Sequence, residues 1–411
     1  MTKRVVILGG GTGGTLVANR LRRACGAGAR ITVVDRDDRH VYQPGLLFVP
    51  FALAEPGEIV RPRHAQFHDD IEFRQCEVQS VETDQNIVNL KDGTFLEYDV
   101  LVIASGTELA PEETEGLTGA GWGDSVHTFY TLEGASALRG ALAEFSGGRL
   151  VVNVVDMPIK CPVAPLEFCF LADWQLRRRG LRDDVELSFV TPLDGAFTKP
   201  VASARLGALM AERDITVHSE FATGQVDAAA GRIRSWDERE VPFDLLVTIP
   251  LHNGPAYVGR SKGLGNELGF VPTDPRTLQS RTAPNVFVIG DATDVPTSKA
   301  GSVTHFEGDA LTENVQRFME GEELTGVYDG HANCFVETGF HKALLIDFDY
   351  DTEPLPGRFP EQHLGLPLLE ESRLNHIAKL AFQPIYWHVL LPGHDIPGIS
   401  SEFHPPAQRA Q

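Results

Sequence analysis

Cys161 stands in a turn that contains no glycine. The turn, Asp156-Met157-Pro158-Ile159-Lys160-Cys161-Pro162, follows an apolar run from Leu150 to Val155 and precedes residues Ala164 to Leu176, which have helical spacing. A thiol beside a helix start sits in positive partial charge, which lowers its pKa and suits it to nucleophilic or redox chemistry. Glu167, six residues further on, is a candidate acid or base. A second stretch has different chemistry. Gly9, Gly11 and Gly14 fit G-x-G-x-x-G, with Thr12 inside the loop, and Asp35 follows Gly14 by 21 residues with Arg36 beside it. Such glycines permit a tight turn, close approach of N–H groups to a pyrophosphate, and close helix–strand packing, while the acid can accept from ribose hydroxyls.

The surrounding elements suit these roles. Val5–Leu8 has the composition of a buried strand, Leu16, Val17 and Leu21 have helical spacing, and Ile31–Val34 reads as a second strand ending at Asp35. A glycine-rich turn without a ligand is the plainer alternative, but the strand–turn–helix–strand context favours dinucleotide binding. Two later strands end in small residues. One runs from Asp99 into Ser105-Gly106, and the other runs from Val286 into Gly290-Asp291, followed by Lys299-Ala300-Gly301 at the start of a helix. Asp291 could accept from a flavin ribityl hydroxyl, and the helix start would favour the negative charge of a reduced flavin. Together these motifs make FAD, rather than NAD, the expected resident cofactor. In the turn around Cys161 the opposite holds, since Pro158 and Pro162 offer no N–H to a phosphate. Tyr42 to Leu46, with Pro44-Gly45, could bring backbone to a flat ring or merely shape a loop.

Strands and helices alternate through most of the chain. We expect an α/β protein with two Rossmann-like dinucleotide-binding domains in tandem and a C-terminal α+β extension. The expected boundaries are 1–115 and 279–329 for the FAD-binding domain, 116–278 for the second domain carrying Cys161, and 330–411 for a quinone- and membrane-contact region. In that last region, Glu370–Phe382 reads as a helix broken by Pro384. Leu374, Ile377, Ala378, Ala381, Phe382 and Ile385 fall on one face, continued by Tyr386, Trp387, Val389, Leu390 and Leu391. Such a face either covers the core or touches lipid and admits a quinone tail.

Composition removes several classes of function. With 411 residues and a formal net charge of −21, the chain lacks the basic surface that nucleic acid requires. The same charge opposes electrostatic attachment to anionic lipid. No apolar window reaches transmembrane length, and the N-terminal run is too short for a signal peptide. The five cysteines are too few and too scattered for a disulfide scaffold, and none forms Cys-x-x-Cys. Cys25, Cys76 and Cys169 read as packed, inert residues, and no metal site is expected.

The Gly9–Gly14 loop with Asp35, Cys161-Pro162 leading to Glu167, Gly290-Asp291, Lys299 to Gly301, and Cys334-Phe335 together carry a family resemblance. Over most of its length the chain resembles the sulfide:quinone oxidoreductase family of two-dinucleotide-binding-domain flavoproteins. The resemblance implies FAD, sulfide and a membrane quinone as cofactor and partners, and a redox-active pair formed by Cys161 and Cys334, 173 residues apart. Hydrosulfide would open that bridge, leaving a persulfide on one residue and a thiolate on the other, with Cys334 on the flavin side. Electrons would pass to the flavin and then to a quinone placed near Phe335, Phe382 and Tyr386. A third family cysteine falls near Ser125–Thr128, where this chain offers His127. The resemblance also implies a cytoplasmic protein lying peripherally on the inner face of the cell membrane, and leaves homo-oligomerisation open. Two rival readings are a type II NADH:quinone dehydrogenase-like flavoenzyme, which needs a glycine-rich second loop, and a non-catalytic thiol/flavin redox sensor.

Overall fold

The computed structural model describes residues 2–360, 365–396 and 398–404. The end of the expected C-terminal region, residues 405–411, lies outside the described residues. Two five-stranded parallel sheets form the framework. In the first, the strands run in the order Val286–Val288, Val100–Ile103, Lys3–Leu8, Ala29–Asp35 and Glu72–Gln75. Its central strands are almost wholly buried, which is why they read as continuous runs of Val, Ile and Leu. Val286–Val288 joins this sheet although it follows the whole second unit in sequence.

The second sheet has the order Val126–His127, Leu245–Ile249, Gly148–Val154, Val185–Val190 and Ile215–His218. From the end of Gly148–Val154 the chain passes through the Cys161 turn into the helix Ala164–Arg179. That helix has Pro165 in its first turn, Gly180 in the left-handed conformation at its C-cap, and Arg177, Arg178 and Arg179 in its last turn. It is buried on nearly all sides, since it lies between the second sheet and the C-terminal unit.

That C-terminal unit is a four-stranded sheet in the order Ala332–Gly339, Lys342–Phe348, Leu366–Leu368 and Gly357–Phe359. Its first two strands form an antiparallel hairpin in which Cys334 faces Ile346. The helix Ala164–Arg179 packs on the strand Ala332–Gly339, and the helix Arg373–Ile385 packs across the hairpin. Cys334 is therefore a buried strand residue.

The C-terminal helix also differs from expectation. It starts at Ser372, whose hydroxyl accepts from Asn375 N–H at 3.0 Å, and it runs through Pro384 to Ile385. A wider π-type turn, Tyr386–Leu390, continues it. Proline costs this helix one N–H bond, to a carbonyl near exposed Leu380 that water can solvate, and the wider turn absorbs the ring. The apolar face splits in two. Leu374, Ile377 and Leu380 are 50%, 60% and 51% exposed, whereas Tyr386, Trp387, Leu390 and Leu391 are buried in the core. Among the described residues, no helix is long and apolar enough to cross a membrane.

Candidate active site

A cavity of about 920 Å³ runs between the first sheet, the Cys161 turn and the C-terminal helix. At one end it is walled by the glycine loop and by Asp35, Arg36, Ser105 and Gly106. Gly290, Asp291, Lys299 and Gly301 line its middle. At the far end lie Cys161, Glu167, Cys334, Phe335, Phe382 and Tyr386. Of the expected cofactor residues, Gly14 alone is not on the wall. A Cβ there would overlap the Gly9 carbonyl oxygen, so its role is close helix–strand packing.

The cavity has the features that FAD demands. The helix Thr12–Cys25 begins at Gly11 with no side-chain cap and no acidic residue in its first turn, so its leading N–H groups remain free for a pyrophosphate. A Cβ on Gly11 would meet no protein atom within 4 Å, so the space that glycine leaves on the cavity wall is space for a ligand. Gly9, at φ +96°, lies too near Ala104 and Ser105 to carry a side chain. Asp35 lines the same end, where it accepts from Gly10 N–H at 2.7 Å and pairs with the guanidinium of buried Arg63. The helix Gly301–Glu320 likewise starts uncapped at the cavity wall, without an acid in its first turn.

Buried charges crowd beneath Gly290-Asp291. Lys299 Nζ donates to the carbonyls of Asp291 and Thr293 at 2.8 Å each. Burial raises the Asp291 carboxyl above its usual range, and it lowers Lys299 and Lys160, which face Asp291. Glu307 accepts from Gly290 N–H at 2.7 Å, while its other oxygen has no partner among the described residues. Burial pushes its pKa up to about 8. A carboxyl held neutral in the folded state contributes stability below its unfolded pKa of about 4.3 and loses that contribution as pH rises through 8. Glu307→Gln therefore gains in melting temperature relative to the wild type between pH 5 and pH 9. A pH-independent difference between the two melting curves would show that Glu307 is ionised throughout.

Cys161 is held from both sides. Its N–H donates to Lys299 carbonyl at 2.6 Å, and its own carbonyl accepts from Tyr130 Oη at 3.1 Å. The residue has φ +48°, an uncommon conformation for a non-glycine residue. Its thiol differs from expectation. Burial, with the Glu167 carboxylate adding to it, pushes Cys161 up to about 12. Burial raises the Cys334 thiol as well. One cation opposes both effects, the ammonium of Lys379. Lys379 bonds to Glu167 Oε1 and donates to Phe335 carbonyl at 3.2 Å, and Glu167 also accepts from Glu337 N–H at 2.6 Å. Burial raises the Glu167 pKa, with Lys379 opposing.

Several functional candidates escape a reading of the sequence alone. Lys379 is a charge in the middle of the largely apolar helix Arg373–Ile385, and that contrast was the signal available. Tyr130 and Lys160 carry no motif. Tyr386 Oη bonds to Thr12 Oγ1 at 2.8 Å and to His40 Nε2 at 2.7 Å, tying the end of the C-terminal helix to the glycine loop. His127 does not join the site. It is a buried strand residue whose Nε2 bonds to Asp124 carbonyl at 2.8 Å, away from the cavity wall. Cys169 is buried as expected, but Cys76 is half-buried and lines the cavity at its Asp35 end.

Comparison with known proteins agrees with this architecture. Residues 3–153 match the family model described as pyridine nucleotide-disulphide oxidoreductase. The mitochondrial sulfide:quinone oxidoreductase of Mus musculus is 28% identical over 397 residues, covering 95% of this chain and 86% of that protein. A demethylphylloquinone reductase of Synechocystis is 35% identical over 322 residues, covering 73% and 76%. The crystal structure of the sulfide:quinone oxidoreductase from Aquifex aeolicus superposes with a TM-score of 0.81 at 22% identity, covering 97% of this chain and 93% of that one. With its fold and cavity as described, the chain is an FAD-dependent oxidoreductase of the pyridine nucleotide-disulphide type, similar along nearly its whole length to sulfide:quinone oxidoreductases.

Proposed function

We propose that this protein oxidises sulfide to polysulfide sulfur and passes the electrons to a membrane quinone, using Cys161 and Cys334 as its redox pair. The observation that carries the reading is the meeting of two sequence-distant cysteines on the wall of the cavity formed by the FAD motifs. In this reading residues 1–115 and 279–329 hold FAD, 116–278 present Cys161, and 330–411 form the quinone and membrane side.

Hydrosulfide attacks one sulfur of the Cys161–Cys334 bridge. A new S–S bond forms to that sulfur, the bridge breaks, and Cys334 leaves as a thiolate. The leaving group lies in a buried wall where burial raises its pKa, so the thiolate is a strong nucleophile. Lys379 supplies the counter-charge that makes its release feasible. The Cys334 thiolate and the Cys161 persulfide then join through the added sulfur, giving up two electrons and one proton. Glu167, whose pKa burial raises, is placed to take that proton. FAD, held by the glycine loop, Asp35 and the Gly290-Asp291 end, would supply the two-electron acceptor between the cysteine pair and the quinone. Phe335, Phe382 and Tyr386 provide apolar walls for the quinone ring. The test is anaerobic stopped-flow mixing of the FAD-loaded protein with sulfide and then with a quinone. Rapid bleaching followed by recovery is expected, and no bleaching by sulfide would refute the reading.

Leu374, Ile377 and Leu380 point outward beside that end of the cavity and suit lipid contact, which the net charge of −21 cannot provide electrostatically. Deleting the whole helix would also remove Lys379 and buried Trp387 and Leu390, so substitutions are the cleaner test. The double substitution Ile377→Glu with Leu380→Glu should lower co-sedimentation with neutral lipid vesicles at least tenfold. Flavin bleaching by sulfide should continue. Unchanged vesicle binding would remove the membrane role from this face.

A further inference from the structure

Reducing a quinone to a quinol consumes two electrons and two protons, and the protons must reach the far end of the cavity. Its walls are Phe335, Phe382 and Tyr386, and the helix that closes it turns an apolar face outward. A polar route leads out of this end. It starts at Glu337, which is 2% exposed and lies three residues beyond Cys334 on the same strand. The Glu337 carboxylate has one partner among the described residues, His376 of the C-terminal helix, with Nδ1 at 2.9 and 3.0 Å from its two oxygens. His376 is partly open to solvent, and its ring lies 5.6 Å from that of exposed His341, in the turn of the hairpin. On the inner side, Glu337 N–H donates to Glu167, and the Glu337 charge opposes ionisation of Glu167. Lys379, one turn after His376 on the same helix, bonds directly to Glu167.

Burying a carboxylate against a single imidazole is costly, and apolar residues of similar volume would hold a helix to a sheet at least as well. We propose that His376 and Glu337 form the proton entry to the quinone end of the cavity, delivering through Lys379 to Glu167. The inference rests on the quinone reading given above. His376 Nε2 takes a proton from water and Nδ1 passes one to the Glu337 carboxylate. Glu337 then turns its carboxyl from His376 toward the Lys379 amine, one turn further along the helix, and returns the proton to it; Lys379 has given its own proton to Glu167. Glu167 protonates the quinone oxygen. After two passages the quinone has gained two protons, and two electrons from the reduced flavin; Glu337, Lys379 and Glu167 have returned to their starting states, and His376 regains its Nδ1–H tautomer between passages by exchange with solvent. The groups facing His376 are Glu337 on the strand and His341 in the hairpin turn.

The test separates this relay from the function on which it rests. The FAD-loaded protein is reduced photochemically, without sulfide, and mixed with a short-tailed quinone across pH 6 to 9. Wild-type reoxidation should vary little with pH. His376→Ala and Glu337→Gln should each slow it at least tenfold at pH 8, with the deficit growing as pH rises, while sulfide-driven bleaching of His376→Ala keeps its wild-type rate. Added imidazole should restore His376→Ala, which no purely structural role for His376 explains. Wild-type rates in both variants would overturn the relay and leave the quinone reading standing. Slow reoxidation without imidazole rescue, or equal loss of both half-reactions in His376→Ala, would overturn the relay in favour of a packing role. Failure of the reduced wild type to be reoxidised by quinone would remove the quinone reading and the relay together.

Discussion

Replacing Cys161 or Cys334 by serine should each abolish sulfide-driven bleaching of the bound flavin, a loss of about a hundredfold or more. Neither sulfur can be spared, because the step requires an electrophilic sulfur and a thiolate leaving group within reach of one another. Both residues line the cavity, and no other cysteine sits at its far end. Cys169, the nearest in sequence, points into the core. The variants should retain FAD. Cys161 is anchored through its backbone, by Lys299 and Tyr130, and these bonds do not involve its sulfur. Cys334 is better packed than a loop residue would be, so Cys334→Ser should lose some stability, on the order of 1–2 kcal/mol. A mild fall in melting temperature with a full fall in sulfide reactivity is the expected signature. Wild-type bleaching rates in either variant would rule out the disulfide mechanism. NADH should leave the flavin oxidised in all three proteins. The turn that would bind its pyrophosphate has prolines at 158 and 162 and a cysteine backbone already committed to Lys299. Fast bleaching by NADH would instead establish the dehydrogenase reading.

The second large effect is expected at Gly11. Substitution by valine should leave a folded but colourless protein, with FAD affinity at least tenfold weaker, equivalent to about 1.4 kcal/mol. The reason lies in where the new atoms go. A Cβ at Gly11 meets no protein atom within 4 Å, and the residue has φ −76°, which any L-residue can adopt. The fold therefore loses little, while the free N–H groups at the start of the helix become shielded from a pyrophosphate. Gly9→Ala is a less discriminating variant, because at φ +96° its new Cβ would lie 2.6 Å from Ala104 carbonyl oxygen and the fold would suffer directly. Gly28→Ala, in open space on the surface, is the control and should keep its FAD. The measurement is flavin absorbance per protein after reconstitution, read beside the melting temperature of the FAD-free form. Full flavin content in Gly11→Val would show that the pyrophosphate does not approach this loop.

Much of the scaffold was legible in the chain because its signals are local. A buried parallel strand is a continuous apolar run, and the glycine loop is fixed by six consecutive residues, Gly9 to Gly14. The α/β class follows from such pieces, as does the expectation of FAD, because Val286–Val288 ends in Gly290-Asp291 whatever the rest of the chain does. The C-terminal helix was found in outline for the same reason. Its end was misplaced because proline's effect depends on whether the carbonyl it deprives can reach water.

Other properties belonged to the tertiary structure. Cys161 and Cys334 are 173 residues apart, and no spacing rule relates them; the packing of the helix Ala164–Arg179 on the strand Ala332–Gly339 brings them to one wall. The same packing reverses the expected chemistry of Cys161. A helix start lowers a thiol pKa by partial charges alone, whereas enclosure removes the water that would stabilise the thiolate, and here enclosure dominates. Lys379 and His376 read as ordinary polar residues on an amphipathic helix until that helix is laid across the hairpin, where they meet Glu167 and Glu337. Sequence periodicity records which faces are apolar, because burial selects residues one element at a time. It does not record which two elements share a boundary, and the electrostatics of this site are set at that boundary.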